Sequence, residues 1–125
     1  MGIACEKILI IDDAGFARVC LAILENEGYN VDTIPYKTAT KPNLEACTLV
    51  ITSYLHELSF LEEIKNLALP VIFLTDQISR ELLALLEDVE KSFCMIKPLD
   101  YKKFILLVRK LMNGEFSSHG GYNIV

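Results

Sequence analysis

Two adjacent carboxylates, Asp12 and Asp13, follow directly on the apolar run Lys7-Ile8-Leu9-Ile10-Ile11. Adjacent acids at the end of a buried segment repel each other and give up hydration, so they need a cation beside them, either Mg²⁺ or an ammonium group. Three further polar pairs stand in the same relation to apolar runs. Thr52-Ser53 follows Leu49-Val50-Ile51, Thr75-Asp76 follows Val71-Ile72-Phe73-Leu74, and Lys97-Pro98 follows Phe93-Cys94-Met95-Ile96. Acids, hydroxyls and a lysine brought together could hold a metal ion or a phosphoryl group. Taken singly, each is also an ordinary turn residue or strand terminus.

Other reactive side chains are less well placed. His56 lies three residues beyond Ser53 with Tyr54 between them, but no acid at fixed spacing orients the imidazole, and a solvated loop is the simpler account of both. Cys5, Cys20, Cys47 and Cys94 form no CxxC pair and have no histidine at ligand spacing, so they read as small buried hydrophobes.

Position along the chain decides whether the polar pairs can meet. Residues 7–11 are apolar without alternation, as in a strand buried on both faces of a parallel sheet. Residues 14–27 carry Phe16, Val19, Cys20, Ile23 and Leu24 at helical spacing, with Gly28 as a stop. Residues 29–34, 49–51, 71–74 and 93–96 read as four further strands. Helices are predicted over 59–69, over 78–89 through Ile78, Leu82, Leu85, Leu86 and Val89, and over 101–112 through Phe104, Ile105, Val108, Leu111 and Met112. Asp100 is the expected N-cap of the last. Pro35 and Pro42 leave residues 36–47 short or irregular. Strands alternating with helices imply a five-stranded doubly wound parallel sheet, an α/β fold of one domain over 1–114 with a flexible tail at 115–125.

The chain has 125 residues and a net charge of −5, from 12 Lys and Arg against 17 Asp and Glu. That length supports one core. The scattered basic residues give no footprint for nucleic acid. No apolar run is long enough to span a membrane and the N-terminus lacks a signal pattern, so a cytoplasmic protein is expected. In open parallel sheets functional groups collect at the carboxyl ends of the strands, which is where every one of these polar pairs falls.

Acids after strand one, an acceptor position after strand three, Thr after strand four and Lys-Pro after strand five form an ordered set. From Lys7 to Asn113 the chain resembles the CheY-like receiver domain of two-component response regulators, a resemblance that extends to Arg18, Leu21 and Leu24 and to Gly28-Tyr29-Asn30-Val31. The resemblance implies a flavodoxin-like fold and a place in signal transduction. It implies Mg²⁺ at Asp12 and Asp13, an aspartate after strand three that takes a phosphoryl group in a phosphorelay, Thr75 and Lys97 on that phosphoryl group, and a cis Lys97-Pro98 bond.

Four departures set this chain apart from that pattern. Ser53 stands at the acceptor position, and a hydroxyl neither forms an acyl phosphate nor supplies an anionic metal ligand, so the Mg²⁺ site at Asp12 and Asp13 is expected to be weak or lost. Asp76 replaces the small residue after the threonine, Cys94 falls at the aromatic switch position, and the loop after Ser53 lacks the usual Pro and Gly. These departures predict a pseudo-receiver, a phosphorylation-independent interaction module rather than an enzyme. Its partner would be a histidine kinase, a regulator or a second copy, docked on the last two helices and strand five. Leu83, Leu106 and Leu107 widen the apolar faces of those helices. Alternatives are an Mg²⁺-dependent phosphoryl-transfer or hydrolase site on Asp12 or Asp13, or a receiver switched by a ligand beside Thr75 and Lys97 or by modification at Ser53 or Tyr54.

Overall fold

The computed structural model describes residues 7–11, 14–34, 47–53, 69–89 and 91–114. They form β1 (Lys7–Ile11), α1 (Ala14–Asn26), β2 (Asn30–Ile34), β3 (Leu49–Ser53), β4 (Val71–Thr75), α2 (Arg80–Asp88), β5 (Ser92–Ile96) and α3 (Tyr101–Met112). The strands make one parallel sheet in the order β2-β1-β3-β4-β5. This is the doubly wound arrangement that the alternation of elements predicts, in the flavodoxin-like form that the resemblance implies.

Side-chain alternation along each strand divides the core in two. Ile8, Ile10, Leu49, Ile51, Ile72, Leu74, Phe93 and Met95 face the layer of α1 and α3. Leu9, Ile11, Val50, Val71, Phe73 and Cys94 face the layer of α2. A continuous apolar run, rather than an alternating one, is what a sheet covered on both faces requires, and β1, β3, β4 and β5 each carry one, with polar residues only at their ends. At the β2 edge, Asn30, Asp32 and Thr33 are exposed, and Asp32 pairs with Lys7.

The helix ends follow local chemistry. Gly28 takes φ +92° just past α1, a left-handed conformation open to glycine at little cost, and Tyr29 N donates to Leu24 O across it. The Ser79 hydroxyl caps α2 by accepting from Leu82 N at 3.1 Å. Asp100 caps α3, its Oδ1 accepting from Lys102 N and Lys103 N.

The structure corrects the predicted helix faces. Val19 is 43% exposed, and α1 instead seats Ala17, Cys20 and Leu24 on the sheet with Leu21 beside them. Small residues at 17 and 20 let the helix backbone approach the strands closely. Helix α2 starts at Arg80, which leaves Ile78 exposed in the loop before it. Leu107 is a core residue packed with Phe104, Val108, Leu111 and Met112, so it adds nothing to the exposed surface, whereas Leu106 does stand in solvent. Leu83 is half-buried against the α2 layer.

The helix predicted over 59–69 lies outside the described residues except for Leu69, which sits in a bend against the α2 layer. Phe16's side chain, Cys5, the irregular segment before Cys47 and the tail at 115–125 also lie outside them. Cys20, Cys47 and Cys94 are buried, as small hydrophobes are expected to be. Among the described residues no helix is long and apolar enough to cross a membrane.

Candidate functional site

Ser53 ends β3, Thr75 ends β4 and Lys97 follows β5. The Lys97 backbone N–H donates to Thr75 O at 2.7 Å, prolonging the β4–β5 ladder by one residue. That ladder bond fixes where the lysine stem starts. The Lys97-Pro98 peptide is cis, as the resemblance implies.

From there the Lys97 ammonium reaches past the end of β4 and donates to Ser53 Oγ at 3.0 Å. The pleat accounts for the meeting of these two groups. The alternation that sends Ile51 and Met95 to the α1–α3 layer places Ser53 and Lys97 on that same face, while Thr75 shares the opposite face with Phe73. Ser53 is 4% exposed, so a polar partner for its hydroxyl offsets the loss of water.

Thr75 is also buried, but its hydroxyl serves its own loop. It donates to Gln77 O at 2.7 Å and accepts from Gln77 N at 3.3 Å. Sequence reasoning placed Thr75 at the pocket and did not foresee this local bonding to the backbone of residue 77, which any residue type there could supply. Thr52 Oγ1 likewise bonds locally, to Ser53 O at 3.1 Å. Asp76 is exposed. Cys94 lies within β5 in the α2 layer, fully buried, and burial pushes its thiol pKa up.

Asp12, Asp13, Tyr54 and His56 lie outside the described residues. The described groups at the strand ends are the Ser53 and Thr75 hydroxyls, the exposed Asp76 carboxylate and the Lys97 ammonium, which lies 3.0 Å from the Ser53 oxygen. One carboxylate beside a cation is a poor match to Mg²⁺, which selects several oxygen ligands, and among the described residues no group of three or more His, Cys, Asp or Glu side chains could hold a metal ion. Any metal site here would draw on Asp12 and Asp13. The described groups suit a hydrogen-bonded closure of the strand ends or the holding of an anion.

No family model matches the sequence, and no curated protein matches it. Solved structures do. A response regulator protein from Burkholderia multivorans is 29% identical, with a TM-score of 0.67 over 86% of this chain and 94% of that one. The non-phosphorylated HemR receiver domain from Leptospira biflexa is 26% identical, with the same TM-score and coverage. A two-component response regulator from Clostridium difficile shares the fold at 19% identity, with a TM-score of 0.65 over 86% of this chain and 96% of that one. The strand order, the lysine seated beside the β3 terminus and these similarities give the chain the fold of CheY-like receiver domains.

Proposed function

We propose that this receiver domain works in signal transduction without forming an acyl phosphate, as a protein-interaction module whose docking surface is built by α2, β5 and α3. The hydrogen bond from Lys97 to Ser53 is the observation that carries this reading. A carboxylate in Ser53's place would be the phosphoryl acceptor and an anionic metal ligand. Serine keeps the contact to lysine and supplies neither function. Lys97 then closes the strand ends instead of neutralising a phosphoryl group.

Two neighbouring features support the same conclusion. Thr75, the equivalent of the family's phosphate-contacting hydroxyl, is satisfied by Gln77 on both its donor and acceptor sides. Cys94, at the switch position, is a small thiol locked in the core, with no ring to move between buried and exposed positions. In the same reading Asp12 and Asp13 are the equivalents of the metal pair, retaining Mg²⁺ weakly or not at all, and no enzymatic turnover is expected of them. Burial of Ser53 argues against its modification as the input, since a kinase needs the hydroxyl exposed.

The test is an amide NMR titration of the full chain, first with Mg²⁺ and then with beryllofluoride. The proposal expects no shift at Ser53, Thr75 or Lys97 on adding beryllofluoride. Saturable shifts at those three residues would show a working phosphoryl pocket and overturn it.

A further inference from the structure

Helix α1 covers β1 and β2, on the side of the sheet away from β5. It seats Ala17, Cys20 and Leu24 in the core. Arg18, Val19, Ala22, Glu25 and Asn26 are thereby turned outward and exposed, with Ile23 half-buried on one flank. Val19 is 43% exposed. Val19, Ala22 and Asn26 follow one another at steps of three and four, the spacing of a coiled-coil seam. Arg18 and Glu25 share the other flank, each one residue before a seam position.

Folding of the single chain does not account for these side chains. Neither Arg18 nor Glu25 has an ion-pair partner among the described residues. Glu25 lies near the end of α1, where the helix dipole favours cations, yet the last turn carries no basic residue. The two charges stand about two turns apart, roughly 10 Å along the helix, too far for the pairs that three- or four-residue spacing allows within one helix.

We infer that α1 is a self-association surface, on which a second copy of this chain packs its own α1 antiparallel about a twofold axis. In an antiparallel helix pair like flanks meet, and twofold symmetry makes every contact reciprocal. Arg18 of each protomer faces Glu25 of its partner, so all four charges are paired. Ile23 meets its symmetry mate on the opposite flank, and Val19 and Ala22 interleave at the centre. Parallel packing would instead set the charged flank against Ile23 and leave the charges unpaired; charges beside a seam are what fix its partner and orientation. A different protein would have to reproduce this charge order, which the chain itself already holds. A seam of one 13-residue helix per copy buries less than the roughly 1,200 Å² of a standard interface, so the dimer is weak and depends on concentration. It is separate from the α2–β5–α3 face and leaves that face free.

Sedimentation velocity of the full chain over a roughly hundredfold range of concentration is the test. The weight-average mass should rise from one chain toward two. Val19→Glu and Arg18→Glu should each weaken dimerisation about tenfold. The double variant Arg18→Glu/Glu25→Arg should restore it relative to Arg18→Glu, and Leu106→Asn on α3 should leave it unchanged. All four positions are exposed, and unchanged amide signals from the sheet would verify folding. A monomer at every concentration, a dimer indifferent to Val19→Glu, a double variant as weak as Arg18→Glu, or a dimer lost in Leu106→Asn would each overturn the inference. A response of Ser53 to beryllofluoride would overturn the proposed function and leave this result readable on its own.

Discussion

The Lys97 ammonium donates to the Ser53 hydroxyl at 3.0 Å, joining the ends of two strands that are separated by β4. The contact spans two strand spacings, roughly 10 Å, and the long lysine stem makes that reach. Because Ser53 is buried, losing its partner strands a hydroxyl away from water. Lys97→Met is expected to cost about 1–3 kcal/mol. In a double-mutant cycle with Ser53→Ala, urea denaturation should give a coupling of about 0.5–1.5 kcal/mol. A coupling near zero would mean that the two side chains do not hold each other in solution.

The elements that bring these residues together depend on their caps. Ser79→Ala frees Leu82 N, and Asp100→Ala frees the two N–H groups of Lys102 and Lys103. Each should lower stability by about 1 kcal/mol. Asp100→Asn should cost less, since asparagine also caps and only the favourable charge at the helix N-terminus is lost. Thermal or urea unfolding of the three variants checks the order.

The thiols give a pH dependence of known sign. Burial raises the pKa of Cys94, and that of Cys47 as well, where Lys7 pulls it down and Asp32 adds to the rise. The folded chain therefore holds protons that the unfolded chain loses above about pH 8.5. These groups should leave stability unchanged below that pH and weaken it as pH rises through the folded-state values. Alkylation of Cys47 and Cys94 by iodoacetamide at pH 8 should be slow in the native chain and fast in urea. Rapid native labelling of Cys94 would contradict its place in the core.

Much of this architecture can be read from the residues alone, because strands covered on both faces are continuously apolar and their ends are marked by polar pairs. The chain from Leu49 to Ser53 shows both features. Side-chain faces were harder to read. In α1, Val19 is the more hydrophobic residue by type, yet Ala17 and Cys20 face the sheet, since close helix–sheet approach selects small side chains there. In α3, Leu107 sits at core spacing from Phe104 and Leu111, and only packing separates it from its exposed neighbour Leu106. At the site, spacing alone placed Ser53 and Lys97 at strand ends, and only the resemblance put both in one pocket, because their direct hydrogen bond depends on pleat parity and strand order. The turning of Thr75 toward Gln77 depends on a local hydrogen bond with no apolar signature.

The central claim is that Ser53 leaves the strand ends unable to run the phosphoryl-transfer chemistry of the fold. Intact mass measurement after incubating the full chain with acetyl phosphate and Mg²⁺ tests it most directly. The account predicts an unchanged mass. A hydroxylamine-labile phosphoryl adduct would mean that another carboxylate, such as Asp12 or Asp13, accepts the group, and would contradict it.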